Sequence, residues 1–563
     1  MFSSLTTTVQ KSLTDAYGIS DITVAWERPQ DSAHGDIATP VAMQIAKQVG
    51  KSPKDIAETI CSALSSLDAI ENVEIAGPGY INIWLGPSAL IDELSQTADS
   101  VLPIPRRKED PVIVEYSQPN IAKPLGAHHL LTTLIGQSIA NIYEHLGFNT
   151  VKWNYIGDWG TQFGKLAVAV ERWGDKKEPS QYSIDELLAL YVRFHEEVEN
   201  DATLEDEARS AFKRLEEGDA ALTAFWEAVV STTKASLSDV YEALHVSFDL
   251  DYGESFYQDK MEPLLQEGIE KHVFVEGEGG SLIVQFPEGT NMPPYLVRKG
   301  DGATLYSTRD IAQMRYRIDT YHPKEVLIVT DIAQKLHFEQ LEETCKQLQW
   351  TLPSFTNVLT GRMRFADKSM STRKGNVLKL EDILMEATQR AEKKIAEHGD
   401  TIQTDNPAEL ARIMGIGAVS YGILSQNRKQ DIVFDWEKML SFDGNSAPYI
   451  QYTHARARSV VEKAGGVSGA VSASELSEKE RVLINTLLRF PRALDDARIA
   501  HMPHILANFL YQLCQDFNAF YNDEPILKAS EPQRGLRVYL TDLTAQVLKT
   551  GASLLTISVP DRM

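Results

Sequence analysis

The chain has 563 residues, too many for one compact core, and this length predicts about two to four domains. Its hydrophobic fraction of 43% and charged fraction of 24% are typical of globular proteins, and no apolar run is long enough for a membrane helix. The first residues lack the basic and apolar regions of a secretory signal. A net charge of -24 excludes a chain that is basic throughout, but not a local basic site for nucleic acid. The three cysteines are far apart and predict neither disulfides nor a structural zinc site, in keeping with a reducing cytoplasm.

Residues 1–105 are predicted to form a small α+β domain. The segment 52–66 has helical periodicity with a proline near its start, and the segment 73–85 alternates like two strands around the turn Gly77-Pro78-Gly79. Residues 103–111 are rich in proline and charge and are interpreted as a linker.

Residues 106–441 are predicted to form an α/β domain around a parallel sheet. Short apolar runs at 112–117, 151–156, 325–330 and 357–365 stand beside helical patterns, an order typical of βα units. The segment from about residue 165 to 293 is long, acidic and mostly helical, and it is interpreted as an insertion into this domain. No further strand is expected after about residue 380, and residues 442–563 are predicted to form an all-helical domain.

The first candidate site lies in residues 116–130, where the first strand of the sheet leads into a helix. Anionic ligands bind at such junctions in open α/β folds. Gly126 lets the backbone approach a ligand, and His128 and His129 offer hydrogen-bond donors to a phosphate in transfer. These residues alone leave open the alternative of a capped helix with two surface histidines.

The second candidate site is a basic segment at 362–379. Its basic residues, set against the single acid Asp367, are Arg362, Arg364, Lys368, Arg373, Lys374 and Lys379. A mobile cationic loop after a strand suits stabilisation of pyrophosphate during phosphoryl or nucleotidyl transfer. A solvated basic loop without a ligand is the alternative.

Motifs along nearly the whole chain carry a resemblance to a known family. They are EYSQPNIAKP (115–124), YIGDWGTQFG (155–164), LYSTRDI (305–311), QKLHFEQ (334–340), MSTRKG (370–375) and APYIQYTHARAR (447–458), with HGDIA (34–38), AGPGYINI (76–83) and VPDRM (559–563) at the two ends. In this order they resemble the arginyl-tRNA synthetases, a family of class I aminoacyl-tRNA synthetases. Residues 370–375 resemble the KMSKS element of that family, and residues 126–129 occupy the position of its HIGH element.

The resemblance implies a Rossmann-type catalytic domain between an N-terminal tRNA-recognition domain and a helical anticodon-binding domain. It implies ATP-dependent activation of arginine to arginyl adenylate, followed by transfer to the 3′ end of tRNA(Arg). Mg²⁺ is expected with ATP, and the protein is expected to be a cytoplasmic monomer without a membrane partner. The alternative is a synthetase-like tRNA-binding protein whose catalysis has decayed.

A guanidinium ligand requires carboxylates presented as a fork, and the residue types of this sequence fit that requirement independently of the resemblance. Glu115 and Asp310 are the carboxylates, and Tyr306 lies four residues before Asp310, where it closes the pocket. A helix-start carboxylate paired with Arg309 is the alternative role of Asp310. By resemblance, Asn120 holds the α-amino or carboxylate end of arginine. The full set assigned to arginine is Glu115, Ser117, Asn120, Tyr306, Asp310 and Gln334.

The remaining site residues are also assigned by resemblance. The ATP-binding set is Lys123, Gly126, His128, His129, Met370 and Ser371. The catalytic set is His128, His129, Lys368, Arg373 and Lys374. Arg456 and Arg458 are assigned to tRNA binding, and no residue is assigned to a metal.

The sequence departs from the family pattern at two places. The family has His-x-Gly-His where this chain has Gly126-Ala127-His128-His129, so the first histidine and the glycine are exchanged. We expect residues 125–129 to be rebuilt so that His129, and either His128 or a backbone N–H, still meet the phosphates of ATP. In the second element Ser369 replaces the first lysine, and Lys368 lies one place earlier.

Overall fold

The computed structural model describes residues 2–29, 32–365, 379–397, 402, 404–467 and 471–563. The strands are β1 (Ile37–Thr39), β2 (Ile70–Ala76), β3 (Tyr80–Leu85), β4 (Val112–Glu115), β5 (Thr150–Asn154), β6 (Leu250–Asp251), β7 (Phe274–Glu276), β8 (Leu282–Val284), β9 (Tyr295–Arg298), β10 (Glu325–Asp331), β11 (Ser354–Thr360), β12 (Met363–Phe365) and β13 (Ile432–Phe434).

The helices connect these strands and then continue alone to the C-terminal end. They are α1 (Phe2–Tyr17), α2 (Val41–Val49), α3 (Pro53–Leu64), α4 (Pro87–Ala98), α5 (Ala127–His145), α6 (Thr161–Trp173), α7 (Ile184–Val198), α8 (Thr203–Glu216), α9 (Ala220–Ala243), α10 (Gln258–Glu270), α11 (Tyr306–Tyr321), α12 (Lys335–Gln347), α13 (Leu380–Glu397), α14 (Pro407–Leu424), α15 (Trp436–Met439), α16 (Ala447–Ala464), α17 (Glu478–Leu488), α18 (Phe490–Ala500), α19 (Pro503–Asp523) and α20 (Gln533–Leu554). Within the described ranges, no helix is both long and apolar enough to cross a membrane.

The N-terminal region is an antiparallel sheet in the order β1-β3-β2, packed against helices. Ser52 caps α3 by accepting a hydrogen bond from the Asp55 N–H, and Pro53 occupies the first helical position, where its missing N–H costs nothing. The predicted helix and the predicted hairpin around residues 77–79 are therefore confirmed.

A five-stranded parallel sheet in the order β11-β10-β4-β5-β6 forms the centre of the molecule. Every residue of β4 is buried, as expected for a parallel strand that is covered on both faces. On one face, α5 and the C-terminal helices share a continuous apolar core with the N-terminal region. On the other face, α10, α11 and α12 enclose a second core. The Rossmann-type sheet with an all-helical C-terminal region is thus confirmed.

Three details of the chain order differ from the prediction. The segment interpreted as one insertion contains helices α7 to α10, but it also returns to the parallel sheet at β6 and contributes β7 and β8 to a separate antiparallel sheet, whose third strand, β9, follows the segment. Residues 357–365 are divided between β11 and β12, which belong to different sheets. The expectation of no strand after about residue 380 is wrong, because β13 pairs with β12. With only three residues, β13 is too short to show a recognisable period. The predicted domain boundaries stay predictions.

Arg481 on α17 joins the C-terminal helices to the N-terminal region. Its Nη1 donates to the buried Asp36 carboxylate at 2.6 Å and to the Leu85 carbonyl at 3.1 Å. Asn485 Nδ2 donates to the other Asp36 oxygen at 2.6 Å, and the Leu85 N–H donates to Asp36 at 2.7 Å. This network fixes the two regions against each other.

Candidate active site

A cavity of about 1050 Å³ opens at the carboxyl ends of β4, β10 and β11. Ligands of open α/β folds bind at this edge of the sheet. The predicted site residues that line the cavity are Glu115, Ser117, Asn120, His128, His129, Tyr306, Asp310 and Gln334. The chain thus brings the arginine set and both histidines of the ATP set to one place.

Two other predicted site residues that the structure describes, Lys123 and Gly126, do not line the cavity. Lys123 lies instead with its ammonium 4.9 Å from the centre of the Tyr191 ring, because the chain turns at Ala122, where φ is 61°. Gly126 is the residue before α5, and its φ of -87° is open to any residue type. Lys368, Ser369, Met370, Ser371, Arg373 and Lys374 lie outside the described residues, and their roles stay predictions.

The described basic residues of the 362–379 segment have separate surroundings. Arg362 lines the cavity. Arg364 Nε forms an ion pair with Asp431, and Lys379 Nζ forms one with Asp185. Only Arg362 therefore faces the cavity among the basic residues of this segment that the structure describes.

The loop between β4 and α5 carries backbone strain. Ser117, Gln118 and Ala122 have φ values of 75°, 55° and 61°, in the left-handed region that residues other than glycine seldom adopt. The Ser117 hydroxyl hydrogen-bonds with the Tyr241 hydroxyl at 2.7 Å and accepts from Thr133 at 3.0 Å. Ser117 therefore holds the loop in its strained course, as is common at functional sites.

His128 and His129 lie in the first turn of α5, with ring centres 3.9 Å apart. Burial and the neighbouring His128 lower the pKa of His129 from 6.5 to about 4. Burial also lowers the pKa of His128, against the opposing charge of Asp331. The Gly126 N–H donates to Nδ1 of His129 at 3.2 Å, so the neutral ring carries its proton on Nε2.

Glu115 differs from the expected open carboxylate because it is already paired within the protein. Its Oε2 forms an ion pair with the fully buried Arg317 and accepts from Gln313 Nε2 at 3.2 Å. Gln118 Nε2 donates to Oε1 at 2.6 Å. A ligand that approaches Oε1 of Glu115 therefore shares this oxygen with Gln118 or displaces it.

Asp310 faces His337 instead of the neighbouring Arg309. Its Oδ2 accepts from His337 Nε2 at 2.6 Å, and Nδ1 of the same ring lies 3.0 Å from the Tyr295 hydroxyl. Tyr306 is 59% exposed at the cavity mouth, with its ring centre 5.0 Å from that of His337. The sequence interpretation missed His337, although it lies inside the quoted motif 334–340.

Glu254 is a further carboxylate of the cavity wall that the sequence interpretation missed. Burial raises its pKa from 4.5 to about 7; Arg309, 3.7 Å away, opposes this, while Asp310 and Asp158 add to it. Asp158 also holds the turn, since its carboxylate accepts from the Ser255 N–H at 2.8 Å and from the Ser255 hydroxyl at 2.7 Å. Glu254 lies shortly after β6. Because β6 has only two residues, its sequence shows no alternating pattern from which a strand end near Glu254 could be predicted.

The two arginines assigned to tRNA lie on α16, away from the cavity. The Arg456 guanidinium lies 4.8 Å from the centre of the Tyr452 ring and 5.0 Å from that of Tyr521. Arg458 lies 3.3 Å from an Asp542 oxygen and 3.7 Å from an Asp561 oxygen. Their contact with tRNA stays a prediction.

Comparison with known proteins gives matches along the chain. Residues 94–436 match the family of tRNA synthetases class I (R), catalytic domain. Residues 3–85 match the arginyl tRNA synthetase N terminal domain, and residues 450–563 match the DALR anticodon binding domain. The arginine–tRNA ligase of Fusobacterium nucleatum is 38% identical over 533 residues, which cover 94% of this chain and 93% of that protein. This chain belongs to the arginyl-tRNA synthetase family. The resemblance predicted from its motifs is confirmed.

Further members of the arginyl-tRNA synthetase family agree in sequence and fold. The arginine–tRNA ligase of Alkaliphilus metalliredigens is 38% identical over 545 residues, covering 95% of each chain. The arginyl-tRNA synthetase structures of Plasmodium falciparum and Thermus thermophilus have TM-scores of 0.82 and 0.80, at 23% and 24% identity. They cover 100% of this chain and 99% and 100% of their own. The whole chain therefore has the family fold.

Proposed function

We propose that this chain is an arginine–tRNA ligase. It joins arginine and ATP to form arginyl adenylate and pyrophosphate, and then transfers the arginyl group to the 3′ end of tRNA(Arg). The observation that carries the proposal is the cavity at the ends of three parallel strands, which collects carboxylates for a guanidinium and histidines for phosphates. We expect a monomer that acts in the cytoplasm.

Arginine binds with its guanidinium toward Asp310. A carboxylate and a guanidinium form charge-assisted hydrogen bonds, and the half-buried site strengthens them. Glu115 adds a second carboxylate through Oε1, which it shares with the Gln118 amide or from which the ligand displaces that amide. Tyr306 lies at the mouth, where a bound ligand can order it, and Asn120 and Gln334 receive the α-amino and carboxylate end.

Adenylate formation is an in-line displacement at the α-phosphorus of ATP. A carboxylate oxygen of arginine forms the new P–O bond, the bond to the bridging oxygen breaks, and pyrophosphate leaves with its electron pair. His129 donates from Nε2 to the charge that develops on the phosphoryl oxygens, since its Nδ1 is held by Gly126. Arg362, together with Lys368, Arg373 and Lys374, stabilises the departing pyrophosphate.

Mg²⁺ enters with ATP in this proposal. Among the described residues, no group of three or more His, Cys, Asp or Glu side chains is arranged to hold a metal ion. Transfer to tRNA then breaks the mixed anhydride bond of arginyl adenylate and forms an ester with a hydroxyl of the terminal ribose, releasing AMP.

ATP–pyrophosphate exchange with arginine, Mg²⁺ and cognate tRNA tests the proposal. Exchange should depend on arginine and should be absent with citrulline, whose side chain has the same shape but no charge. Asp310→Asn should weaken arginine binding by about 30-fold or more, which corresponds to the ~2–5 kcal/mol lost when one partner of a buried charge pair is truncated. A wild-type protein without exchange, but with tRNA binding, would support the alternative of decayed catalysis.

A further inference from the structure

The buried Tyr295 and the largely buried His337 lie next to Asp310 in the cavity wall. His337 Nε2 lies 2.6 Å from Oδ2 of Asp310, and His337 Nδ1 lies 3.0 Å from the hydroxyl of Tyr295. The side chains of Asp310 and His337 are 12% and 11% exposed, and Tyr295 is 4% exposed. Because so little solvent reaches these groups, each depends on the next one for its hydrogen bond.

The hydrogen bonds that connect Tyr295, His337 and Asp310 have a defined direction of donation. An ionised carboxylate only accepts, so His337 donates its Nε2–H to Asp310. In the tautomer that carries its proton on Nε2, Nδ1 is an acceptor, and Tyr295 donates its hydroxyl hydrogen to it. Burial raises the pKa of Tyr295, and the charge of Asp310 adds to the rise, so the hydroxyl keeps its proton.

These hydrogen bonds leave one carboxylate oxygen of Asp310 available to a ligand. Oδ2 is taken by His337, whereas Oδ1 has no hydrogen-bond partner among the residues that the structure describes, and Asp310 lines the cavity. Hydrogen bonds at both nitrogens, to Asp310 and Tyr295, fix the plane of the His337 ring, which also packs against Phe338 with ring centres 5.0 Å apart. The carboxylate is therefore held in one orientation.

We propose that Tyr295 and His337 are positioning residues that orient the Asp310 carboxylate for the guanidinium of arginine. This inference rests on the proposed function. A carboxylate that is ordered before binding loses less freedom when the guanidinium arrives, and this improves affinity. Because both residues act through Asp310, their loss changes arginine binding and leaves ATP binding and turnover nearly as they are.

Substitutions of His337 and Tyr295 in the full-length protein test the proposal. His337→Ala removes the donor to Asp310, His337→Gln keeps a side-chain N–H donor, and Tyr295→Phe removes only the outer hydrogen bond. Tyr182→Phe is the matched control, because Tyr182 is 3% exposed and its hydroxyl has no partner within the described part of the chain. The KM for arginine, the KM for ATP and kcat are measured by pyrophosphate exchange with cognate tRNA.

The KM for arginine should change more for His337, which contacts Asp310 directly, than for Tyr295, which contacts only His337. His337→Ala should raise the KM for arginine by about 10–100-fold, as expected for a hydrogen bond to a charged group. Tyr295→Phe should raise it by about 2–10-fold, as expected for a neutral one. His337→Gln should restore part of the loss, Tyr182→Phe should have no effect, and the KM for ATP should change less than about twofold in every variant.

Two results would overturn the inference. In one, His337→Ala is active with an unchanged KM for arginine; in the other, the KM values for ATP and arginine rise together, as a general distortion would cause. Thermal unfolding of each variant identifies a folding defect, and His337→Gln keeps the test open in that case. Failure of the proposed function is seen separately, as absent exchange in the wild type, and calorimetric titration of arginine onto wild type and variants still tests the positioning.

Discussion

His129 combines burial with a fixed tautomer. Its pKa is lowered to about 4 by burial and by His128, so the ring is neutral at physiological pH, and Nδ1 accepts from the Gly126 N–H. A neutral donor of this kind can stabilise charge that develops in the transition state without attracting ATP strongly in the ground state. The exchange of histidine and glycine at residues 126–128 therefore leaves one preorganised donor in place.

His129→Ala should lower the rate of adenylate formation by about 10²–10³, as loss of one preorganised donor does, with a much smaller change in the KM for ATP. Single-turnover formation of arginyl adenylate is the measurement. His272→Asn, on an exposed histidine with a φ of 57°, is the control, because asparagine tolerates that backbone. An equal effect on ATP binding and on the rate would assign His129 to ground-state binding.

Glu254 makes the stability of the protein depend on pH. Its pKa is raised from 4.5 to about 7, mainly by burial. Between pH 4.5 and about pH 7, Glu254 is protonated in the folded protein but ionised in the unfolded chain. The free energy of unfolding therefore falls as the pH rises through this range. Above about pH 7, the ionised carboxylate lowers the free energy of unfolding by roughly 3 kcal/mol relative to the protonated acid.

Glu254→Gln keeps a neutral side chain at every pH. The variant should therefore gain stability relative to the wild type at pH 8 but not at pH 5, by up to ~3 kcal/mol. Urea unfolding of both proteins at the two pH values measures this difference. Glu196→Gln, on an exposed carboxylate, should show no such dependence. If the difference in free energy of unfolding between Glu254→Gln and the wild type were the same at pH 5 and pH 8, the raised pKa of Glu254 would be contradicted.

How much the sequence predicted depends on how local each interaction is. Glu115 and Asp310 were found because each lies in a recognisable motif. The pairing of Glu115 with Arg317 could not be predicted, since residues about 200 positions apart in sequence meet only when α11 packs on the sheet. The contact of His337 with Tyr295 from β9 could not be predicted for the same reason.

Elements were predictable where their own residues carried the pattern. The strands β4, β5 and β10 were recognised as buried apolar runs next to helices, which is the signal of a parallel sheet. The strands β6 and β13 have two and three residues, and their pairing partners define them. Their places were set by tertiary packing, which no local pattern records.

The helix α5 lies so close to β4 that one of its residues has to be glycine. A Cβ at Gly136 would lie 2.2 Å from Cβ of Tyr116 and 2.3 Å from its Cγ, far inside contact distance. Helices α13, α14, α18, α19 and α20 contact α5 from the side away from the sheet. The helix therefore cannot move away without disturbing the C-terminal region.

Gly136→Ala should destabilise the protein by about 1–3 kcal/mol, the usual effect of overpacking. It should also lower kcat, because the displaced helix carries His128 and His129. The control is Gly535→Ala on α20, where the nearest atom within 4 Å is the Glu531 carboxylate oxygen at 3.2 Å. That change should gain up to ~1 kcal/mol from helix propensity. Urea unfolding and exchange rates measure both variants; an unaffected Gly136→Ala would show that α5 has room to shift.

One continuous apolar core connects the three regions of the molecule. It runs from the N-terminal helices through one face of the parallel sheet to the C-terminal helices. Removal of residues 442–563 would expose this core, so a truncated chain cannot isolate the contribution of the C-terminal helices to tRNA binding. Single substitutions at polar contacts between regions are the better experiment.

Charge also acts at the scale of the whole molecule. With a net charge of -24, the chain repels a polyanion at long range, and tRNA has to be held by local basic surface. Phosphate contacts release counterions, so tRNA affinity should fall steeply as salt rises. A basic surface works best when the regions that carry it are held at a fixed spacing, and Arg481 provides such a fixed point.

Arg481→Met should remove the cationic link between α17 and the N-terminal region while keeping an unbranched apolar side chain. Asp36 would keep its hydrogen bonds from Asn485 and the Leu85 N–H but lose its cationic partner, so thermal unfolding of the variant is measured beside the kinetics. The KM for tRNA should rise about tenfold, within the ~1–3 kcal/mol typical of coupling between sites, while the KM for arginine at saturating tRNA stays constant. Aminoacylation kinetics provide both values. Arg492→Met, on an arginine whose side chain is 77% exposed, is the matched control. If both variants bind tRNA like the wild type, tRNA binding does not depend on the Arg481–Asp36 ion pair.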